Sequence, residues 1–429
     1  MLLYLGSTVA VCVATWLALV WRSKTRTISP TSLCGGLIVA GLLVRLAYVF
    51  FTPTFYAPDE EPHFKYIQHL ADKKSFPIQT SKLGDASNDW EYNQPPLYYL
   101  MVTLVFAVVQ ASFENQNATV IALRLFSVGI WMLNAWLVWR SLVQMRIEDV
   151  FARVFVIAMV CLLPTYTVIS SAINNDNLLA ALGSGMICLL AARDRNLKTH
   201  ALLGVLLGLG LLTKQSAVIF APMFAVLVGI ELFRRQISWA AAGQRLVVTF
   251  GIAGLIYLPW AMRNWQIYQT FMPENLVVTQ IPWPSAIHGI ASAAHNLVKT
   301  FWSVSGLSND VGYPFPVVGM LLMIAPVIAF AFGSDKPNKT GAMFSEDQKA
   351  LLFGMSFSLL VAVVLVLRFG FQFGMGQGRH LFPLLFPIAL LLSVWLRRLP
   401  FRSLEIHAVG FWITYAVSFA VFSLCRFPR

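Results

Sequence analysis

Apolar stretches recur along this chain from one end to the other, and they set what it can fold into. A helix that crosses a bilayer needs about 20 predominantly apolar residues. Thirteen stretches reach or approach that length: 2–21, 32–51, 96–113, 119–139, 151–173, 178–192, 201–213, 216–233, 246–262, 316–333, 350–367, 380–396 and 407–424. Such a chain cannot cover its own surface in water. Of its 429 residues 58% are hydrophobic and 12% charged, where soluble domains carry about 25% charged residues. A soluble enzyme, a disordered chain and a fibrous protein are excluded. The fold class is an all-α polytopic membrane protein. The first stretch has no basic segment before it, and Arg22, Lys24 and Arg26 follow it. It reads as a spanning helix with its N-terminus outside, not as a signal peptide.

Charge sets the topology. The 31 Lys and Arg outnumber the 19 Asp and Glu by 12. The excess is read as the positive-inside rule, so membrane lipids and not nucleic acid are the implied partner. The five cysteines lie in or beside apolar stretches without a CxxC pair, as small buried hydrophobes do. Arg22 to Arg26, Arg193 to Lys198, Arg234 and Arg235, Lys336 and Lys339, and Arg397 to Arg402 mark cytoplasmic loops. Alternation then puts 52–95, 263–315 and 368–379 on the outer face. Arg140, Arg146 and Arg153 conflict with simple alternation. One segment between 96 and 232 therefore re-enters or is miscounted, and the expected place is the short pair around Thr213-Lys214. The expectation is one integral domain, 1–429, with 11 to 13 helices and two long outer loops.

The densest polar cluster opens the first of those loops: Asp59-Glu60-Glu61-Pro62-His63-Phe64-Lys65. Adjacent carboxylates raise each other's pKa, and a carboxylate poised in this way suits a general base. From Glu61 to Lys73, Phe64, Ile67 and Leu70 recur on one side, which predicts an amphipathic helix in the interface. The bland alternative is an acidic turn capping that helix. Glu60, His63 and Glu91 also allow a metal reading, although the HExxH pattern is missing. The loop ends in Glu91-Tyr92-Asn93-Gln94-Pro95-Pro96-Leu97-Tyr98, a helix entry with aromatic-belt residues.

Three further patches are polar where the surroundings are apolar. Asn174-Asn175-Asp176-Asn177 should face a cavity or cap a helix. Lys214 lies between two apolar runs, where an ionisable group is a functional candidate unless it snorkels. Gln377-Gly378-Arg379-His380 offers a guanidinium fork for phosphate, or an anchoring arginine. One acidic group and several cationic groups at one interface suggest a lipid-phosphate substrate.

Taken in order, Pro58-Asp59-Glu60 with His63-Phe64, Gln94-Pro95-Pro96-Leu97-Tyr98-Tyr99, Asn175-Asp176, Leu212-Thr213-Lys214 and Gln377-Gly378-Arg379 carry a resemblance. The sequence from about residue 40 to 395 resembles the GT-C superfamily of integral membrane glycosyltransferases that use polyprenyl-phosphate sugars. It is most similar to the branch of the protein O-mannosyltransferases and the lipid A aminoarabinose transferase. The resemblance implies a catalytic acid in the first outer loop, falling on Asp59 and Glu60, with His63 assisting. It implies inversion at the anomeric carbon as the acceptor hydroxyl is deprotonated. Lys214 and Arg379, with His380 and Lys65 as nearby cations, would hold the donor phosphate. Glu91, Gln94, Tyr98, Asn175, Asp176 and Trp283 are assigned to sugar and acceptor. No cofactor is required, and a divalent metal at Glu60, His63 and Glu91 is compatible. Glu61 intervenes before Pro62, where the pattern has proline directly after the acidic pair, and the stretch 2–21 is additional to the usual start of the fold.

The expected function is therefore an inverting transferase in a bacterial inner membrane with its site facing the periplasm. Asp59 is the general base. The acceptor is a glycan, glycolipid or protein, with an O-antigen or lipopolysaccharide acceptor preferred, and loop 263–315 is assigned to its recognition. Three rivals are a transporter or flippase of lipid-linked substrates, a membrane metallohydrolase, and an O-antigen ligase or polymerase, which should lack the Asp-Glu start of the first loop. The first predicts inverted repeats and mid-membrane acids, neither of which stands out.

Overall fold

Capping residues cut the apolar runs into helices. The computed structural model describes residues 11, 14, 29–80, 89–112, 115–192, 195–273, 283–304, 315–319, 321, 344–374, 376–397 and 404–427. The expected spans 2–21 and 316–333 lie almost wholly outside the described residues. Pro30 opens α1 (Pro30–Phe51), where a missing N–H costs nothing. Helix α2 (Glu60–Lys73) buries Phe64, Ile67 and Leu70, as the periodicity predicts. It is followed by α3 (Leu97–Ser112). Asn115 accepts from the backbone of Asn117 and Ala118 to start α4 (Gln116–Gln144), and Asp149 does the same through Ala152 for α5 (Val150–Leu162).

The predicted helix over 151–173 breaks at Leu163, which is extended because Pro164 follows. A short α6 (Pro164–Ile169) and the buried turn to α7 (Asp176–Ala191) result. Next come α8 (Leu197–Thr213), a 3-10 segment (Gln215–Phe220) and α9 (Ala221–Phe233). Helix α10 (Trp239–Tyr268) is longer than the run 246–262, so 263–268 is helix and not loop. The rest comprises α11 (Ala286–Trp302), α12 (Glu346–Phe373) with a capping box at Ser345 and Gln348, a 3-10 segment (Gly378–Leu384), α13 (Leu385–Leu396) and α14 (Leu404–Leu424). Seven segments among the described residues are long and apolar enough to cross a membrane, and α3, α5, α7 and α8 are shorter apolar helices.

The core is built around α5, which is buried on nearly every side beneath α1, α13 and α14. Only a helix apolar all round can occupy such a place. Helices α8 and α10 pack closely because Gly204 and Gly208, four residues apart, have no side chains. A Cβ on Gly204 would meet the Thr249 carbonyl at 2.6 Å, and one on Gly208 the Ile256 Cβ at 2.8 Å.

Ion pairs define one end of the bundle. Arg397 Nε donates to Asp149 at 2.7 Å, Arg195 and Arg245 share Glu231, and Arg234 meets Glu346 at 3.0 Å. The opposite end carries the 52–60 turn. Thr54 Oγ1 donates to Asn117 Oδ1 at 2.6 Å, so α4 begins where α1 ends. Helix α3 lies between them. Its Phe64–Phe106 ring contact is 5.7 Å, and Gln110 donates to Thr119 at 3.2 Å, beside the start of α4. Both ends of α3 thus lie on the side of the 52–60 turn, and α3 does not cross. This corrects the expectation for Thr213-Lys214, which forms an ordinary turn between two crossing segments. The direction of α4 carries Arg140 and Arg146 to the arginine-rich end, and the topological conflict disappears.

Close helix approach gives a stability prediction. Gly204→Ala overpacks the α8–α10 contact and costs about 1–3 kcal/mol. Gly251→Ala, on α10 with nothing within 4 Å, is neutral or stabilising. Melting curves in detergent should put Gly204→Ala below wild type and Gly251→Ala at or above it.

Candidate active site

The chain reverses between α1 and α2 through a turn with two residues at positive φ, Phe55 (62°) and Asp59 (59°). Aspartate is one of the few non-glycine residues that accept this conformation readily. The turn separates the two adjacent acids. Glu60 is fully buried and paired with Arg124, whose Nε and Nη2 donate to its two carboxylate oxygens at 2.8 and 2.6 Å. The same guanidinium donates to the carbonyls of Val49, Thr52 and Pro53 at 3.2, 2.7 and 2.9 Å. Asp59 points the other way, its side chain 28% exposed, and accepts from Arg379 Nη2.

Other candidates meet at this point. Lys214, extended between α8 and the next 3-10 segment, donates to Asp176 Oδ1 at 2.6 Å. Asn175 Nδ2 donates to the Thr213 carbonyl at 3.4 Å, fixing the α7 start against the α8 end. Gly378 N donates to Thr300 Oγ1 at 2.7 Å, which seats the Arg379-His380 turn on α11. Electrostatic interactions link Asp176 with Lys214, Arg379 and His380, and link Glu91 with Asp59, Lys214, Arg379 and Asp176. Arg379 Nε and Nη1 are buried without a partner among the described residues.

His63 Nδ1 lies 2.8 Å from Tyr99 Oη and 3.9 Å from Glu91 Oε2. Tyr66 stacks on Tyr99 with ring centroids 3.7 Å apart, and donates to the Gln94 carbonyl at 3.2 Å. Burial pushes His63 down to about 3, so its imidazole is neutral. Burial and then repulsion from Asp59 push Glu91 up to about 8, so it carries a proton at neutral pH. Asp59 goes the opposite way. Burial alone would raise it, but the Arg379 guanidinium holds the carboxyl below the usual carboxylate range. Two neighbouring acids therefore sit in opposite protonation states.

The geometry brings together Asp59, His63, Glu91, Asn175, Asp176, Lys214, Arg379 and His380. It does not bring in Glu60, Lys65, Tyr98 or Trp283. Glu60 is consumed by Arg124. Lys65 pairs with Glu61 at 3.1 Å on the exposed side of α2. Tyr98 is buried beneath the site, 3.5 Å from Ser127. The Trp283 indole donates to the Phe371 carbonyl at the end of α12. The residues suggested for a metal do not fit one, because the Glu60 carboxylate is already held bidentately. No set of three His, Cys, Asp or Glu side chains converges among the described residues. Sequence reasoning missed Arg124 and Tyr99. The signal for Arg124 was a lone arginine inside an apolar run. For Tyr99 it was helical phase, since 98 and 99 face different sides.

No family model and no curated protein sequence matches the chain. Solved structures do. ArnT from Cupriavidus metallidurans bound to undecaprenyl phosphate is 13% identical, with 92% of this chain and 78% of that chain covered and a TM-score of 0.56. The Archaeoglobus fulgidus oligosaccharyltransferase tethered with an acceptor peptide is 14% identical, with 90% of this chain and 49% of that chain covered and a TM-score of 0.42. The first likeness shows the fold: the chain is a polytopic membrane protein, helical throughout its described residues, with the fold of that ArnT structure.

Two predictions follow from this geometry. Arg124→Met leaves Glu60 buried without its cation and costs about 3–5 kcal/mol, so its melting temperature should fall far below wild type. Glu91 has a folded pKa raised above its ordinary 4.5. Its stabilising contribution is therefore full below about 4.5 and is lost as pH rises through about 8. Glu91→Gln has no proton to lose. Melting curves should make this variant match wild type near pH 4 and exceed it by a margin that grows up to pH 9.

Proposed function

We propose that the chain is an inverting glycosyltransferase that moves a single sugar, a hexose or a pentose, from a polyprenyl-phosphate donor to an acceptor hydroxyl. The carrying observation is Arg379, which joins the ionised Asp59 through Nη2 while its Nε and Nη1 are buried without partners among the described residues. Each of these two free N–H groups can donate to a phosphate oxygen, and a charge-assisted bond of this kind is a strong one. Lys214 and His380 add donors at the same place. The proposed acceptor is a periplasmic glycan or glycolipid, of O-antigen or lipopolysaccharide type, and the membrane a bacterial inner membrane. Under the positive-inside rule the arginine-rich end is cytoplasmic, so the site opens on the outer face.

In this reading Asp59 takes the proton of the acceptor hydroxyl as its oxygen attacks the anomeric carbon. Attack comes from the face opposite the phosphate, so the configuration inverts. The anomeric C–O bond to phosphate breaks, and polyprenyl phosphate leaves with the electron pair. Arg379 and Lys214 stabilise the charge on that leaving group. A base that stays ionised is suited to this step, because the hydroxyl becomes acidic only as its new bond forms. His63, held neutral against Tyr99, orients the acidic turn, and Glu91 in its protonated form can donate to a sugar oxygen.

The test compares envelope glycans and glycolipids by mass spectrometry in strains carrying wild type, Asp59→Asn or empty vector. A monosaccharide-sized gain confined to wild type is expected. Asp59→Asn should lower transfer by about 10²–10⁴-fold in protein that still shows a cooperative melting transition, and Arg379→Lys should weaken donor binding. The same gain from Asp59→Asn as from wild type would remove Asp59 as the base.

A further inference from the structure

A second set of unpartnered polar atoms lies away from the acid and phosphate groups. Trp260, Arg263 and Asn264 are on the last turns of α10, and Asn93 is on the loop before α3. Trp260 Nε1, Arg263 Nη1, Asn264 Oδ1 and Asn93 Oδ1 are buried with no hydrogen-bond partner among the described residues. Asn264, Asn93 and Trp260 are 0%, 4% and 4% exposed. Buried polar atoms are rarely left unpaired, so four at one junction call for an explanation.

Their remaining polar atoms are engaged, and this fixes how they point. Asn264 Nδ2 donates to the Phe271 carbonyl at 3.3 Å, and Asn93 Nδ2 to the Pro273 carbonyl at 3.4 Å. Each amide oxygen is therefore the unpaired atom. Arg263 donates to the Pro77 carbonyl through Nη2, with its guanidinium carbon 4.4 Å from the Trp260 ring centroid. Tyr257 also donates to the Phe271 carbonyl, at 3.1 Å, so α10 and the first loop converge on residues 271–273.

Two unpaired N–H donors and two unpaired amide acceptors at one junction select a ligand. A phosphate or carboxylate has only acceptors and would meet the two amide oxygens unfavourably. A hydrocarbon chain would satisfy none of the four. A hydroxyl donates once and accepts as well, so two neighbouring hydroxyls complete the set. The position then decides which sugar it is. Asp59 stands at the start of α2, while Arg263 donates to the Pro77 carbonyl, beyond the end of that helix at Lys73. The 14-residue helix between them is about 20 Å long. A donor sugar, whose anomeric carbon must lie beside Asp59, does not extend there.

We infer that this junction is an acceptor subsite that binds two adjacent hydroxyls on a sugar ring one residue removed from the attacked hydroxyl. The inference rests on the transferase reading above, and it makes the acceptor a glycan of at least two sugars. Trp260→Phe removes one N–H and keeps an aromatic ring. Asn264→Leu removes one amide at similar volume.

Purified full-length protein would be applied to an array of immobilised bacterial monosaccharides and oligosaccharides, and separately supplied with polyprenyl-phosphate sugars and soluble oligosaccharide. Wild type and Asp59→Asn should be retained on a subset of oligosaccharides but not on their monosaccharides. Trp260→Phe and Asn264→Leu should lose at least about tenfold in retention, with melting temperatures near wild type. Wild type retained nowhere, or both variants retained like wild type, overturns the subsite. Transfer with unchanged retention in the variants removes the subsite and keeps the transferase. Retention lost in the variants, with no transfer from any polyprenyl-phosphate sugar, keeps the hydroxyl-binding site and removes the transferase.

Discussion

The buried pair between Arg124 and Glu60 is the contact on which the rest of the site depends. Taking two charges out of water is costly, and the cost is offset only when every donor and acceptor is used well. Arg124 meets that condition with three backbone carbonyls and both Glu60 oxygens. Glu60 also accepts from the Ile173 backbone N–H at 3.3 Å. One guanidinium thus ties together the end of α1, the start of α2, the body of α4 and the loop before α7. Three of these elements carry residues of the site or lie next to them. With Glu60 pinned inward, the left-handed backbone at Asp59 leaves only the outward direction for the neighbouring acid.

Charge bookkeeping around the cluster explains its odd protonation states. Asp59 and Asp176 are matched by Arg379 and Lys214, each in direct contact. A third anion at Glu91 would have no cation left, and burial leaves it no water. It therefore keeps its proton. A third cation at His63 would meet the same difficulty, and the imidazole stays neutral. Balance is reached without a substrate, so an incoming phosphate must compete for cations that are already engaged.

Much of this was legible in the sequence, because polar residues in an apolar chain are conspicuous. Asp59, Asp176, Lys214 and Arg379 stood out as patches far apart in sequence, and the fold brings them together. The α2 amphipathic pattern gave its buried face correctly. What could not be read were relations between elements. Composition gives α3 the appearance of a spanning helix, and only its packing against α2 and the first turns of α4 reveals that it stays on one side. The roles within Asp59-Glu60 depend on a single backbone dihedral. Lys65 and Trp283 have the right chemistry in the wrong places, since a helix face and a loop end decided their partners.

The shared guanidinium of Arg379 has a consequence for the order of events. In the resting protein the base and the phosphate-binding group hold each other through Nη2 of Arg379. On the proposed reaction, an acceptor that arrives first finds Asp59 occupied. A donor that arrives first can use the two unoccupied nitrogens of Arg379, draw the guanidinium towards its phosphate and loosen the third. Such a site behaves as a sequential lock, in which the lipid-linked sugar is the key that arms the base. Stray hydroxyls, water among them, meet an armed base only while a sugar is loaded.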